Sequence, residues 1–389
     1  MRVAGRNLLA AVARQVRYRR DELRDLLTTV QTRQTADIEM DWILAALEPP
    51  PGRLDWLDER DPIGTVFVAT PATMPMYSFV LFGLAPAVAG NRVVVRAASS
   101  SRDCAHLMAQ IAAEAGADIS TTTAAWPEFA ARAGAEADGV VFAGSRDHIR
   151  ALDTQLPERV TFIGQGPGVA AGVVTASADI AKAARTMVWT RAFNSSQDCL
   201  ATERVYVADE VFNDVVDALL AEAHALVLGP NSDAATDVGP LLIPGVAHEW
   251  FDRLRSHGRV LRAGGPREPG LFDLAVVEAD PGDPVVLEET FCPVLPVVRY
   301  RGLRELHRML ALGEFALGLT VAGDLPSAGN TDFAHIAVNE SLFDSEDAWA
   351  PFGGYRGTTV VRGRGGLRRS GPVLIPYELT RPRLAGVTR

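Results

Sequence analysis

The stretch TVFVATPATMPMYSFVLFGLAPAVAGNRVVVRA, residues 65–97, decides the fold. Its two ends, TVFVAT at 65–70 and RVVVRA at 92–97, are rich in valine and bounded by Pro, Gly or Asn, a pattern that predicts buried strands. The long apolar run between them predicts a helix at 76–89. A strand, a helix and a second strand in this order predict a parallel βαβ unit.

The same alternation continues along the chain. Further strands are predicted at 138–144, 160–164, 168–174 and 202–207, and further helices at 103–116, from Ser145, at 177–191 and from Asp209. Residues 1–48 read as a helical region that ends at the prolines of EPPPGR. This order predicts an α/β protein with a Rossmann-type, doubly wound parallel sheet, which binds nucleotides at the carboxyl ends of its strands.

Composition excludes several classes of function. The 389 residues carry a net charge of −10, which argues against a nucleic-acid binder. The uncharged run at 62–91 is long enough for a membrane span, but Pro71, Pro75 and Pro86 interrupt it, so we expect no membrane segment. The seven histidines show no metal-ligand spacing, and we expect no metal site.

The three cysteines are widely separated, at positions 104, 199 and 292. Their odd number argues against a disulfide framework and favours a reducing, cytoplasmic location. Cys104 lies in a predicted helix, and we interpret it as a core residue. Cys199 closes the polar run NSSQDC at 194–199, which leaves two interpretations open, a reactive thiol or a small buried residue.

Seven segments together resemble the aldehyde dehydrogenase superfamily, in the order of that family, from about residue 60 to residue 357. The segments are RDPIGTVFVATPATMP, AGNRVVVRAASSS, VVFAGSRDHI, FNSSQDCLATERVYV, LGPNSDAATDVGPLL, LEETFCPVLPV and VNESLFDSEDAWAPFGGYRGT. The resemblance implies a nucleotide-binding domain at 1–165, a catalytic domain at 166–355 and a C-terminal segment at 356–389 that supplies an intersubunit strand. It also implies a homo-oligomer.

The resemblance favours the chemical interpretation of Cys199, which matches the nucleophile of the family. Attack of its thiolate on an aldehyde gives a thiohemiacetal, and loss of hydride to a nicotinamide leaves a thioester. Glu289 and Phe291 match residues that hold the nicotinamide side of the dinucleotide. Gly144 and Ser145 match the turn that carries the pyrophosphate to a helix start. Cys292 stands where the family usually has glycine, and we interpret it as packing.

Three departures from the family pattern decide the finer prediction. Phe162 in FIGQGPG stands where hydrolytic members carry a glutamate base, and phenylalanine cannot accept a proton from water. Thr73 replaces the asparagine that helps the cysteine N–H stabilise the oxyanion, although its hydroxyl can still donate one hydrogen bond. Arg96 replaces a lysine, and Ser99 stands where NAD-preferring members often have a glutamate, which favours NADP over NAD.

We therefore predict an NAD(P)-dependent oxidoreductase that interconverts an aldehyde and an acyl thioester of coenzyme A or an acyl carrier through Cys199. The missing glutamate is shared with the acylating branch of the superfamily. Two alternatives stay open at this point. One is a hydrolytic aldehyde dehydrogenase whose base lies elsewhere in the chain, and the other is a catalytically degenerate scaffold or binding subunit.

Overall fold

A computed structural model describes residues 2–254 and 259–383. Its helices are α1 (Arg2–Tyr18), α2 (Arg20–Leu27), α3 (Arg33–Leu47), α4 (Pro75–Phe79), α5 (Ala85–Val88), α6 (Arg102–Glu114), α7 (Trp126–Glu136), α8 (Arg146–Gln155), α9 (Ile180–Ala192), α10 (Phe212–Ala225), α11 (Pro244–Leu254), α12 (Pro284–Leu287), α13 (Leu303–Leu310) and α14 (Ile375–Glu378). None of the helices in these ranges is both long and apolar enough to cross a membrane.

The strands up to the middle of the chain are β1 (Arg60–Pro62), β2 (Thr65–Ala69), β3 (Arg92–Arg96), β4 (Ile119–Thr121), β5 (Gly139–Ala143), β6 (Thr161–Gln165), β7 (Ala170–Val174) and β8 (Thr202–Ala208). Those that follow are β9 (Arg259–Arg262), β10 (Gly265–Glu268), β11 (Leu271–Asp273), β12 (Ala275–Glu278), β13 (Val294–Tyr300), β14 (Phe315–Ala316), β15 (Gly318–Ala322), β16 (His335–Val338), β17 (Tyr355–Arg356), β18 (Thr359–Arg362), β19 (Arg368–Ser370) and β20 (Thr380–Pro382).

Two seven-stranded sheets organise the described chain. The first has the order β19-β18-β6-β5-β2-β3-β4, and β6, β5, β2, β3 and β4 are parallel in it. The second has the order β16-β15-β7-β8-β13-β12-β9, parallel except for β9. The opening segment forms β2 and β3, which pair in parallel from Thr65 with Arg92 to Ala69 with Arg96. The α/β prediction is therefore confirmed.

The N-terminal helices pack on the first sheet. Val12, Val16, Leu23 and Leu27, which recur at helical spacing, are buried in one cluster with β2, β3 and α6. The predicted helix at 76–89 is interrupted at Val80–Leu84 by a π-helical turn. Such turns often mark functional regions, because they re-aim the side chains on either side of them.

The C-terminal segment returns to the first sheet of its own chain. Strand β18 pairs antiparallel with β6, from Thr359 with Gln165 to Arg362 with Phe162. Strand β20 pairs antiparallel with β1, and Arg60 Nε donates to Thr380 Oγ1 at 2.6 Å. Strands β1 and β20 form a separate two-stranded sheet, while the first sheet takes β18 and β19 from the C-terminal part of the chain. The intersubunit role of residues 356–389 stays a prediction, and residues 384–389 lie outside the described range.

Candidate active site

The segment that carries Cys199 has a strained backbone. Three successive residues between α9 and the cysteine have positive φ angles although none is glycine: Asn194 (49°), Ser195 (55°) and Ser196 (68°). Neighbouring backbone groups hold this turn, because Gly239 N donates to Ser195 Oγ at 2.9 Å and Leu242 N donates to Gln197 Oε1 at 2.8 Å. Left-handed conformations of this kind concentrate at functional sites, where the surrounding structure fixes them.

Cys199 lies between α9 and β8 of the second sheet, next to the loop in which the chain passes from the first sheet to the second. Its residue is half-buried, and it packs against a cluster of Met74, Phe193, Leu200, Leu317, Leu342 and Phe343. The loop between β6 and β7 approaches it closely at Gly168, since a Cβ there would lie 2.0 Å from the Cys199 carbonyl oxygen. Only glycine permits this approach of the two backbones.

Carboxyl groups surround the sulfur. Removal from water raises the pKa of the Cys199 thiol well above its ordinary value, and the charges of Asp198, Glu289 and Glu346 raise it further. A thiol in such surroundings is protonated at neutral pH, whereas activated cysteines usually lie beside a cation. A carboxylate next to a thiol is expected to raise the pKa of the thiol, and Asp198 acts on Cys199 in this direction.

The same carboxyl groups titrate at unusually high pH. Burial raises the pKa of Glu289 to about 8, and the charge of Glu203 adds to this shift. Burial likewise raises the pKa of Glu346 to about 7, and that of Asp198 to about 6. Each is close to the range in which a side chain can both accept and release a proton near neutral pH.

Thr73 lies beside the nucleophile segment. The next residue, Met74, has a φ of 45° and packs in the same apolar cluster as Cys199 and Phe193. Thr73 is half-buried, and its carbonyl oxygen accepts from Ser78 Oγ at 3.4 Å. The structure thus brings the Thr73 turn to the predicted site, and the oxyanion role of its hydroxyl stays a prediction.

The loop at 289–292 meets the nucleophile segment from the second sheet. Glu289 Oε1 accepts from Gly168 N at 2.8 Å, so its carboxylate is fixed next to the close approach at Cys199. Phe291 is half-buried and has a φ of 50°. Cys292 is fully buried in the core of the second sheet, as expected for a packing residue.

Arg96 and Ser99 lie at the carboxyl end of β3. Arg96 Nε donates to Ala124 O at 3.0 Å, and its guanidinium carbon lies 5.6 Å from the Trp126 ring centroid. Burial lowers the pKa of Arg96, and the positive charge of Arg102 lowers it further. Ser99 and Arg102 are exposed, so this corner presents hydroxyl groups and positive charge to solvent.

Gly144 and Ser145 form an open helix start at the end of β5. Both residues are exposed, and the Ser145 side chain does not cap α8. Its hydroxyl instead lies 2.9 Å from His148 Nδ1. The first backbone N–H groups of a ten-residue helix are thus left available, which is the chemistry that binds a phosphate.

A family model described as the aldehyde dehydrogenase family matches residues 5–369. The chain belongs to the aldehyde dehydrogenase family. This confirms the resemblance noted from the sequence. The matched range includes Cys199 and the loop that brings Gly168 close to it.

Two curated relatives are similar over different lengths. Succinate-semialdehyde dehydrogenase (NADP+) 1 of Mycobacterium tuberculosis is 29% identical over 280 residues, which cover 66% of this chain and 59% of the relative. Geranial dehydrogenase of Castellaniella defragrans is 27% identical over 366 residues, covering 88% of this chain and 74% of the relative. The chain thus spans only 59% of the length of the first of these relatives.

Two solved structures show the shared aldehyde dehydrogenase fold. Glyceraldehyde-3-phosphate dehydrogenase GapN of Methanocaldococcus jannaschii, complexed with NADP, gives a TM-score of 0.84 at 20% identity, covering 98% of this chain and 88% of the other. Succinic semialdehyde dehydrogenase of Streptococcus pyogenes, in complex with NADP+, gives a TM-score of 0.87 at 18% identity, covering 99% and 90%. At these identities the likeness shows the fold.

The structure corrects the interpretation of Phe162 in this member of the aldehyde dehydrogenase family. Phe162 is the second residue of β6 and is buried in the same core cluster as Phe67, Phe129 and Ile149, which does not contain Cys199. The polar side chain at the carboxyl end of the strand is Gln165, whose Oε1 accepts from Thr359 Oγ1 at 2.8 Å.

Gln165 is therefore the better candidate for the position of the family base. Ligands of parallel sheets bind at the carboxyl ends of the strands. Locating the end of β6 in the sequence would therefore have pointed to Gln165. An amide, like a phenylalanine ring, cannot take a proton from water. The segment FIGQGPG still contains no carboxylate, and the correction concerns only which of its residues occupies the position of the family base.

Sequence patterns also missed two carboxyl groups. The charge of Glu346 acts on the Cys199 thiol, whereas the buried Glu39 interacts with the charge of Asp198 and not with that thiol. Glu346 accepts a hydrogen bond from Tyr77 Oη at 3.0 Å. Glu39 of α3 accepts from Met76 N at 2.8 Å and from Tyr77 N at 2.7 Å. Both carboxyl groups come from segments far from Cys199 in the sequence, so no local motif could have pointed to them.

Proposed function

We propose that the chain is an NAD(P)-dependent oxidoreductase that interconverts an aldehyde and an acyl thioester through Cys199. The observation that carries the proposal is the pair of groups at the junction of the two sheets, a half-buried cysteine and the amide of Gln165 at the end of β6. A cysteine can form the covalent acyl intermediate, while an amide leaves that intermediate without a base on water.

The residues around the junction fit a nicotinamide dinucleotide. The open start of α8 at Gly144 and Ser145 suits the pyrophosphate, and the loop with Glu289 and Phe291 suits the nicotinamide side. Arg96 and the exposed pair Ser99 and Arg102 suit a 2′-phosphate, which favours NADP over NAD. The relative from M. tuberculosis and both solved structures carry NADP in their names.

The protein residues place the reacting carbon and handle the proton. The Cys199 sulfur bonds to the aldehyde carbon, and the Cys199 N–H and Thr73 hydroxyl stabilise the oxyanion. A nicotinamide dinucleotide held by Gly144, Ser145, Glu289 and Phe291 would supply the hydride chemistry at this carbon. The thioester left on Cys199 then transfers its acyl group to an incoming thiol, and Asp198, Glu289 and Glu346 are the carboxyl groups positioned nearby to take up protons.

The direct test follows dinucleotide absorbance with a panel of aldehydes, with and without coenzyme A. We expect NADP+ reduction to be faster with coenzyme A and the product to be the acyl thioester, identified by mass spectrometry. The Cys199→Ala variant should show no turnover. Carboxylate formation at the same rate without any thiol would contradict the proposal. No turnover with either dinucleotide would favour the scaffold or binding-subunit alternative.

Hydrolysis is the second candidate, because one observation favours it. The pKa of Glu346 is about 7, which suits a base on water near neutral pH. This candidate predicts carboxylate product without added thiol, and at least a hundredfold slower release in Glu346→Gln. The thiol dependence of the rate separates the two candidates.

We also propose, from the family, that the protein is a homo-oligomer. Its substrates in this account are small aldehydes and acyl thioesters.

A further inference from the structure

A buried ion pair lies beneath the loop at 289–292. Arg191 at the end of α9 and Glu203 in β8 meet with 2.8 Å between Nη1 and Oε1, and their side chains are 0% and 1% exposed. The two residues flank the nucleophile segment, since one precedes Asn194 by three positions and the other follows Cys199 by four.

The remaining contacts of the pair converge on the loop. Glu203 Oε2 accepts from Thr290 N at 3.0 Å and from Thr290 Oγ1 at 2.8 Å, and Glu203 Oε1 accepts from Phe291 N at 3.3 Å. Arg191 Nη2 donates to Thr290 Oγ1 at 2.6 Å and to the Cys292 carbonyl oxygen. Three successive loop residues are therefore tied to one ion pair.

The loop needs such restraint. Phe291 holds a φ of 50°, a conformation that a residue with a bulky side chain adopts only when its surroundings impose it. Burying two charges also carries a large desolvation penalty, which the pair offsets only if its remaining hydrogen-bonding groups are satisfied. Here Arg191 Nη2 and both carboxylate oxygens of Glu203 contact the loop, while Arg191 Nη1 also donates to Thr202 O at 3.5 Å and Arg191 Nε has no partner among the described residues. Loop geometry and ion pair therefore depend on each other.

We propose that the Arg191–Glu203 pair is a positioning device that fixes Glu289 and Phe291 for the dinucleotide and holds that loop in register with the segment carrying Cys199. Neither member of the pair belongs to the proposed catalytic or dinucleotide-contacting residues. The inference rests on the proposed function in one respect, namely that this loop binds a nicotinamide dinucleotide.

The charges of the pair also act on Glu289. Glu203 raises the pKa of Glu289, while Arg191 lowers it, and Asp198 from the nucleophile segment raises it. Replacing Glu203 by a neutral residue therefore lowers the pKa of Glu289. The pH dependence therefore reports whether the charge of Glu203 reaches Glu289, and loop exchange and NADPH affinity report the positioning role.

The test compares Glu203→Gln with the double variant Arg191→Met/Glu203→Gln, which removes both charges and avoids an unpaired buried arginine. Asp153→Asn is the matched control, because Asp153 forms an ion pair with the buried Arg362 in the first sheet, away from the loop. The readouts are the dissociation constant for NADPH by calorimetry, hydrogen exchange of residues 289–292, and the pH profile of Cys199 alkylation by iodoacetamide.

We expect both Glu203 variants to bind NADPH about tenfold more weakly, as loss of a charge-assisted hydrogen bond implies, and to exchange faster in the loop. The alkylation profile should shift in Glu203→Gln, whereas in the double variant the two removed charges have opposing effects on Glu289. The control should lose stability without these changes. Wild-type affinity and loop protection in the double variant would overturn the positioning role. If the wild-type protein binds neither NADPH nor NADH, the proposed function is wrong. In that case the positioning role is tested by loop exchange alone, and unchanged exchange in the variants would overturn it.

Discussion

Cys199 is a nucleophile candidate whose surroundings oppose its ionisation. Burial raises the pKa of its thiol, and the charges of Asp198, Glu289 and Glu346 raise it further. No cation among the described residues lowers it. A positive charge bound beside the sulfur, such as an oxidised nicotinamide ring, would lower that pKa. We therefore expect the thiol to become reactive only once the dinucleotide site is filled, which would limit unwanted alkylation and oxidation of the free protein.

The Asp198→Asn variant tests the electrostatic part of this account. The amide oxygen can still accept the hydrogen bond that Leu200 N donates to Asp198 Oδ1, but the charge is lost. Because that charge raises the pKa of the thiol, the midpoint of Cys199 alkylation by iodoacetamide should move to lower pH. Asp198 has a pKa of about 6, so the difference from wild type should be present above that pH and fade below it.

A matched control exists at another cysteine. Asp103 precedes Cys104 and raises the pKa of that thiol, as Asp198 does for Cys199. Asp103→Asn should leave the alkylation profile of Cys199 unchanged. A shift of the Cys199 midpoint to higher pH in Asp198→Asn would show that the sign of the interaction is wrong.

The strained turn before Cys199 predicts a gain of stability on substitution. Ser196 has a φ of 68°, and its buried hydroxyl has no partner among the described residues. Glycine adopts this conformation without steric cost, so Ser196→Gly should raise the free energy of unfolding by about 1–2 kcal/mol. Urea unfolding followed by circular dichroism measures this. Ser101→Gly is the control, because Ser101 is equally buried but has a φ of −114°, and it should lose stability.

At the scale of elements, the sequence pattern predicts most strands and helices. Apolar runs such as TVFVAT and RVVVRA, bounded by glycine and proline, locate β2 and β3 to within one residue. The pattern does not predict the π-helical turn at Val80–Leu84, because every residue there is apolar and buried in either helix type.

Helix ends were less predictable. Ser101 precedes α6 and has the residue type of an N-cap, but its hydroxyl contacts Pro71 O and Ala98 O at 3.4 Å and does not cap the helix. At the start of α4 the preceding residue, Met74, provides no cap, and the backbone N–H groups of Met76 and Tyr77 donate to Glu39 of α3. A cap supplied through tertiary structure leaves no trace in the local sequence.

The Glu39 cap predicts a dependence of stability on pH. Burial raises the pKa of Glu39 from 4.5 to about 7. A folded-state pKa above the unfolded value means that the native protein binds more protons between these limits, so this group makes stability fall as pH rises from about 4.5 to 7. The neutral Glu39→Gln should be more stable than wild type by about 3 kcal/mol at pH 8, and about equal to it at pH 4.5.

The geometry around Glu39 supports this substitution. Gln31 Nε2 donates to Glu39 Oε2 at 2.5 Å, and Gln31 Oε1 has no partner among the described residues, so a flip of the Gln31 amide can accept the new N–H. The midpoints of thermal unfolding at the two pH values measure the effect. Greater stability of wild type at pH 8 would contradict the assigned titration. The conservative Glu48→Gln, on an exposed side chain that pairs with Arg17 at 2.5 Å, is the control and should not raise stability at pH 8.

At the scale of the whole molecule, the candidate active site lies where the two sheets meet. The loop from Gln165 to Val169 carries the chain from β6 to β7, and it brings Gly168 against Cys199 and Glu289. The order of segments and their family resemblance predict this junction. They do not predict the carboxyl groups of Glu346 and Glu39 or the Arg191–Glu203 pair, since these depend on packing between segments that are distant in sequence.

The central claim is that Cys199 carries the acyl group during turnover. Incubating the protein with NADP+ and a short aldehyde without any acceptor thiol, quenching in acid and sequencing the peptides by mass spectrometry tests this directly. We predict one acyl group on the peptide containing Cys199, its release on addition of coenzyme A, and none on Cys104 or Cys292. Aldehyde-dependent reduction of NADP+ by Cys199→Ala, with no acyl group on Cys199 in the wild type, would contradict the account.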